Sequence, residues 1–390
     1  MKTRGRTVCG TLLAAAATFA LLASAADARV AKECRGLTPA VNADYDGPGS
    51  YPVGVQTFTF VDASRPTDPN NEYPGAPDRT LVTEVWYPAT VAGRDAPVDV
   101  AGGPYPVVIQ SHGFLDSRIG ESYVTEHLAS RGYIVAALDY PLSNGGAPGG
   151  ATISDIHNQP GDWSFVLDNV LVEFAAAADA DSIGASGLSL GGLTTWLVTY
   201  HPTLRDPRID AAVAMAAPAC MFKSRFFRTT ETPRLVLHGN SDQIVPYRQN
   251  GRRAFRPGPA TRHLIELDVG SHTGFTTFAA IFDQSVHFDV IGCDAVGAGL
   301  GEVSEGDNPL GHLGGPGLGL KRNQLACPSP CEKPVPAGPS MVAARHHDLT
   351  QIGTAAFFDG YLKDDVDARC YLGEPLADQN DDADTSARGR

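Results

Sequence analysis

The run Asp181-Ser182-Ile183-Gly184-Ala185-Ser186-Gly187-Leu188-Ser189-Leu190-Gly191-Gly192 reads as a short apolar strand ending in Gly-x-Ser-x-Gly. It passes directly into Leu193-Thr194-Thr195-Trp196-Leu197-Val198, a helical segment. A serine at the apex of such a strand, turn and helix has strained backbone angles and an exposed hydroxyl. Gly187 and Gly191 keep side chains out of the space where strand and helix cross. The pattern is that of a nucleophile elbow. The plainer alternative is a turn whose serine only caps the following helix, and with 42 glycines in the chain the pentapeptide needs support from a base, an acid and an oxyanion donor in the right order.

Working outward, Pro106 to Ser111 and Tyr133 to Leu138 are continuous apolar strands separated by a helix from Glu121 to Arg131. A further helix, Asp162 to Ala178, leads to the elbow strand. Beyond the elbow helix lie three more buried strands, Ile209 to Ala216, Arg234 to His238 and Arg262 to Leu267. This alternation predicts an α/β domain with a mostly parallel sheet, helices on both faces and the site at the carboxyl ends of the strands. Val53 to Val61 and Thr80 to Tyr87 alternate like an antiparallel edge pair joined by a proline-rich loop. After a short helical stretch from Thr273 to Phe282, residues 292–339 form a Gly/Pro-rich insertion without sustained periodicity. It reads as a disulfide-pinned surface loop or as a lid or pocket wall. The last helix follows from Asp348 to Leu362, with Asp348 and Gln351 at capping-box spacing.

Hydrolysis by a serine needs a base, a carboxylate that orients it and donors aimed at the developing oxyanion. Asp242 stands just past the Arg234 to His238 strand, where its other reading is a helix cap. His272 stands past the Arg262 to Leu267 strand, 30 residues after Asp242 and 83 after Ser189. The order Ser, Asp, His is that of an α/β-hydrolase. Asp268 is a second candidate acid. The backbone amides of Leu190 and of Phe114, in Ser111-His112-Gly113-Phe114, are the candidate oxyanion donors. His112 and His238 read as structural histidines bonded to loop backbone, and His346 and His347 as a lead into the last helix.

The chain has 390 residues, 43% of them hydrophobic, enough for a substantial core. Its formal charge is −14 and the basic residues form no run, which disfavours nucleic acid and anionic membranes and favours a neutral or weakly charged substrate. Lys2, Arg4 and Arg6 precede an apolar run from Val8 to Ala26 that ends in small-x-small sites. Residues 1–28 therefore read as a signal peptide rather than a membrane anchor, and the protein as secreted, extracellular or periplasmic. Residues 29–372 are expected to form one domain and 373–390 a polar, mobile tail. The mature chain keeps six cysteines, Cys34, Cys220, Cys293, Cys327, Cys331 and Cys370, an even count that fits disulfides with fifteen possible pairings. Cys327 and Cys331 lack the partners a zinc site would need, so no metal and no cofactor is expected.

The chain resembles the secreted α/β-hydrolases of the platelet-activating-factor acetylhydrolase and dienelactone-hydrolase-like group. The matching stretches are Val82 to Pro88, Tyr105 to Phe114, Glu126 to Ala137 and the elbow. The resemblance implies Ser189 as nucleophile, Asp242 as acid, His272 as base and the Phe114 and Leu190 amides as oxyanion donors. Leu188 stands where acetylhydrolases and bacterial cutinases commonly carry His, and Ser189 departs from the cysteine of dienelactone hydrolases proper. The expected function is a secreted serine carboxylic-ester hydrolase acting on short-chain acyl esters, lipids or polyesters. The alternatives are a serine peptidase and a non-catalytic binding protein on the same scaffold.

Overall fold

In the computed structural model, residues 33–37, 40–300, 308–323 and 327–388 are described; residues 1–28, read above as a signal peptide, lie outside them. Their strands are β1 (Val53–Asp62), β2 (Arg79–Pro88), β3 (Gly93–Arg94), β4 (Tyr105–Ser111), β5 (Ile134–Leu138), β6 (Ala178–Leu188), β7 (Ile209–Met215), β8 (Arg234–Gly239), β9 (Arg262–Leu267) and β10 (Ala383–Arg388). They hydrogen-bond into one sheet in the order β10-β9-β8-β7-β6-β4-β5-β2-β1-β3. Strands β4 to β9 pair in parallel. The antiparallel β1–β2 pair sits at one side, with Val53 opposite Pro88 and Asp62 opposite Arg79.

Successive residues of a strand face opposite sides of the sheet, and β4 shows what this does. Val107 and Ile109 pack with Trp163, Val166 and Val170 of α2 (Gln159–Glu173) on one side. Val108 packs on the other, with Leu128 of α1 (Ser122–Ser130) and with Leu349 and Phe358 of α6 (Ala343–Leu362). The elbow helix α3 (Leu190–Tyr200) lies on the α2 side and buries Trp196 and Leu197. A sheet covered on both faces needs strands apolar on both faces, which is why its central strands read as continuous apolar runs. Across β2, Arg79 is fully buried and donates to Asp155 at 2.8 Å and to Asp162 of α2 at 2.6 Å. A buried charge is tolerated when paired in this way.

Three expectations change. Residues 373–388 are not a free tail: after α7 (Val366–Tyr371) come α8 (Glu374–Asp378) and β10, and β10 pairs antiparallel with β9. Its outward positions Asp384, Ser386 and Arg388 are exposed, so an edge strand with one wet face reads as polar. The insertion 292–339 opens inside a helix, α5 (Asp289–Leu300), rather than in irregular chain; residues 301–307 and 324–326 lie outside the described residues. Helix α6 starts at Ala343 with Val342 at its N-cap, so Asp348 and Gln351 lie within the helix and form no capping box. The Gln351 side chain donates instead to the Tyr123 carbonyl, at 2.9 Å.

Candidate active site

Four strands of the parallel run β9-β8-β7-β6-β4 deliver their carboxyl ends to one region. β6 ends at Ser189, β4 at the His112 to Phe114 turn, β8 at the loop carrying Asp242 and β9 at the loop carrying His272. Ser189 has φ 54° and ψ −114°. Positive φ is uncommon for a residue with a side chain and costs on the order of 1–3 kcal/mol, a strain that the surroundings must hold in place. They do so through the Ser189 amide, which donates to the Met215 carbonyl of β7 at 2.9 Å. Tight contact does the rest. A Cβ at Gly187 would lie 2.3 Å from the Gly191 carbonyl oxygen, and one at Gly191 would lie 2.0 Å from that of Ser111. Both glycines are required by close approach of backbone.

Asp242 caps no helix, the next one starting only at Gly251, and divides its two oxygens between its own loop and His272. Oδ1 accepts from the Ile244 and Val245 amides at 2.9 and 2.6 Å, fixing the loop. Oδ2 lies 2.8 Å from Nδ1 of His272. With Nδ1 donating to the carboxylate, Nε2 is the nitrogen left to act as a base. Burial pushes the Asp242 carboxyl up, but the His272 charge and hydrogen bonds from His238 and His272 outweigh it and hold it down to about 2. Burial pushes His272 down; the charge and hydrogen bond of Asp242, then the charge of Asp289, reverse this and leave it raised above its usual 6.5. A carboxylate kept ionised beside a histidine of raised basicity is the electrostatic arrangement of a general base.

The loops of Asp242 and His272 are held to each other by Asp289, the first residue of α5. Its Oδ2 accepts from the Gln243 amide at 2.9 Å and the His272 amide at 3.2 Å. Its Oδ1 accepts from the Thr273 amide at 2.8 Å and the Thr273 hydroxyl at 2.9 Å. Asp289 is fully buried. His287 adds a link, with Nε2 2.8 Å from the Ser241 hydroxyl. Neither residue is a candidate from sequence. The only available signal is an acidic residue opening a helix, and α5 itself was masked by its glycines.

Ser189 and His272 line one cavity of about 200 Å³ together with Gly113, Phe114 and Leu115. Its far wall is α5, through Ile291, Gly292, Ala295 and Val296. A Cβ at Gly299 would lie 2.6 Å from Leu115 Cδ1 and 3.0 Å from Phe114 Cε1, so α5 lies directly on the Phe114 turn. The start of the insertion is thus a pocket wall, and Cys293, Cys327 and Cys331 pin it by disulfides. Cys293 of α5 bonds Cys331, Cys220 bonds Cys327, and Cys34 bonds Cys370. The Cys331 amide also donates to the Gln243 carbonyl in the Asp242 loop, at 2.8 Å. Phe114 lines the cavity and Leu190 opens α3 beside Ser189, with no backbone acceptor for either amide among the described residues.

The remaining candidates have other partners. Asp268 is exposed, accepts from the Asn240 side chain at 3.0 Å and is not brought to His272. His112 bonds the Gly113 carbonyl at 2.7 Å and accepts from the Tyr140 amide at 3.1 Å. His238 reaches the Val245 carbonyl at 2.7 Å, with the same nitrogen 3.2 Å from Asp242 Oδ2. It therefore supports Asp242 as well as the loop. His346 and His347, inside α6, bond the carbonyls of Ser271 at 3.1 Å and Thr276 at 2.9 Å, on either side of His272. Among the described residues no group of His, Cys, Asp and Glu could hold a metal, and no helix is long and apolar enough to cross a membrane.

Residues 77–141 match the family described as platelet-activating factor acetylhydrolase, isoform II. The stretch includes β2, β4, α1, β5 and the Phe114 turn but ends before the elbow. No curated protein matches the chain. Solved structures match in 1126 chains, so architecture alone leaves the activity open. One is a ferulic acid esterase from Streptomyces cinnamoneus, 26% identical over 82% of this chain and 93% of that one, with a TM-score of 0.55. The mixed, mostly parallel sheet, the acetylhydrolase match and the likeness to an esterase over most of both chains identify an α/β-hydrolase fold similar to that of these proteins.

Proposed function

We propose that the protein is a secreted serine carboxylic-ester hydrolase with Ser189 as nucleophile, His272 as base and Asp242 as the group that orients His272. The observation that carries this reading is the 2.8 Å contact of His272 with the ionised Asp242, made in the cavity that Ser189 also lines. In the proposed cycle Ser189 Oγ attacks the ester carbonyl while His272 Nε2 takes its proton. The Phe114 and Leu190 amides stabilise the oxyanion. His272 then protonates the departing alcohol, and a water activated by the same histidine releases the acid.

A volume of about 200 Å³ is that of roughly seven waters in the liquid, which favours a short acyl chain or one aromatic ring over a long acyl chain. Of its lining, Phe278 and Ile291 are 47 and 38% exposed, an apolar rim suited to the rest of a lipid or polyester substrate. Three disulfides accord with an oxidising compartment. The test is labelling of the mature protein with a fluorophosphonate, mapped by mass spectrometry, beside turnover of p-nitrophenyl acetate, p-nitrophenyl laurate and methyl ferulate. A single adduct on Ser189, absent in His272→Ala, with faster acetate than laurate cleavage, is expected. A folded protein without adduct or turnover would refute the reading and leave a binding role.

A further inference from the structure

Away from the catalytic cavity, a second cleft of about 530 Å³ opens between the β7–β8 connection and α4 (Gly251–Phe255) and shares no lining residue with the first. Six cations line it: Lys223, Arg228, Arg248, Arg253, Arg256 and Lys321. Among the described residues no carboxylate does. In a chain with 44 acidic and 30 basic residues, a fifth of the cations face one concavity that is lined by no acidic side chain among the described residues. Sequence position hides this, because the six are drawn from residues 223 to 321 and form no run.

The cations are held on a fixed frame. Lys223 and Lys321 flank a backbone bridge between Phe222 and Leu320, with the Lys223 amide donating to Gly319 at 2.7 Å and the Lys321 amide to Met221 at 2.8 Å. Arg253 donates through Nε and Nη2 to the Phe222 carbonyl at 3.1 and 2.7 Å. The Cys220–Cys327 disulfide anchors the rim. Behind the wall lies Arg234, fully buried, over the Phe227 ring at 5.0 Å and donating to the carbonyls of Ala254 and Pro257. Burial and the charge of Arg253 lower the Lys321 ammonium. Like charges fixed together without counter-charge cost free energy that an anion would recover.

We infer that this cleft is a binding site for a small multivalent oxyanion, a polyphosphate or a polycarboxylate. Arginine forks match planar or tetrahedral oxyanions two oxygens at a time, and the lysines supply compact charges between them. The volume falls within the roughly 300–1,000 Å³ range of small-molecule sites. Phe222 and Phe227 are each 1% exposed, so they offer no stacking platform for the bases of a nucleic acid. The site does not depend on ester hydrolysis.

The experiment is calorimetric titration of the mature, disulfide-bonded protein at low ionic strength with sodium tripolyphosphate and, separately, with citrate. The double variant Arg248→Gln/Arg256→Gln and the control Arg94→Gln, outside the cleft, are titrated alongside, with thermal melts to establish folding. Binding of either probe, weakened on the order of a hundredfold in the double variant at about tenfold per guanidinium and unchanged in the control, supports the site. Tighter tripolyphosphate assigns phosphate groups; tighter citrate assigns carboxylates. Absence of binding by both at millimolar concentration, or equal weakening in Arg94→Gln, would overturn the inference. So would affinity retained by the folded double variant.

Discussion

Asp289→Asn separates the structure that holds the catalytic loops from the residues proposed to perform the chemistry. The carboxylate accepts four hydrogen bonds, two on each oxygen. An asparagine keeps one acceptor and turns an NH2 group towards two donors. If the oxygen stays with Thr273, the Gln243 and His272 amides lose their acceptor. Bonds to a charged group contribute about 1.5–3 kcal/mol each, so the loss of two predicts a destabilisation of about 3–6 kcal/mol. In thermal melts this is on the order of 10 °C for a domain of this size. The catalytic effect has a separate signature. The Asp289 charge helps raise the basicity of His272, so the acid limb of kcat/KM against pH should move to lower pH in the variant. Because the Asp242 and His272 loops are no longer fixed to each other, kcat should fall on the order of tenfold to a hundredfold. The assay is p-nitrophenyl acetate hydrolysis across pH at a temperature where the variant is folded. A variant that melts lower but keeps the wild-type acid limb and kcat would refute the positioning argument and leave Asp289 a purely structural residue.

Three further outcomes are expected. His272 must be neutral to accept a proton, and its pKa is raised, so kcat/KM should fall with acidification through a midpoint above 6.5. Stability has the opposite origin. The Asp242 carboxyl is held at about 2 against an ordinary 3.8, contributing about 2 kcal/mol that is present above the ordinary value and lost as pH falls towards 2; denaturant melts of wild type and Asp242→Asn between pH 7 and 2 should converge in acid. Val296→Phe, on the α5 wall of a cavity of about 200 Å³, should lower turnover of p-nitrophenyl butyrate relative to acetate by about tenfold. An unchanged chain-length profile would remove α5 from the acyl pocket.

The strands and the Ser, Asp, His order were legible because each depends on a local run of sequence. Val107, Val108 and Ile109 are apolar on both faces wherever the strand sits in a parallel sheet, and Asp242 and His272 each follow such a strand. What escaped reading depends on distant partners. Asp289 acts on amides 46 and 17 residues away, and no periodicity marks that. Helix α5 carries Gly292, Gly297 and Gly299, which lower helix propensity, yet Gly292 is needed because a Cβ there would lie 2.2 Å from the Thr273 hydroxyl. The residues that hide the helix also let it approach the site. Helix α2 ends at Glu173 rather than Ala178, since Ala178 already belongs to β6. β10 was missed for the converse reason, as pairing with β9 supplies the order that its polar side chains do not advertise.

The three cystines share a topological property. Cys34, Cys220 and Cys293 each bond a partner that follows in the order Cys370, Cys327 and Cys331, so every bridge spans the peptide bonds between residues 293 and 327. A protease that cut this stretch once would convert the chain into two polypeptides still joined by three covalent links. Ser189, Asp242 and His272 would all remain on the amino-terminal piece, while the covering helix α6 and strand β10 would be carried by the other. The stretch that builds the pocket wall is thus also the place where the backbone can be severed without releasing either part, a form of tolerance suited to an environment that contains proteases.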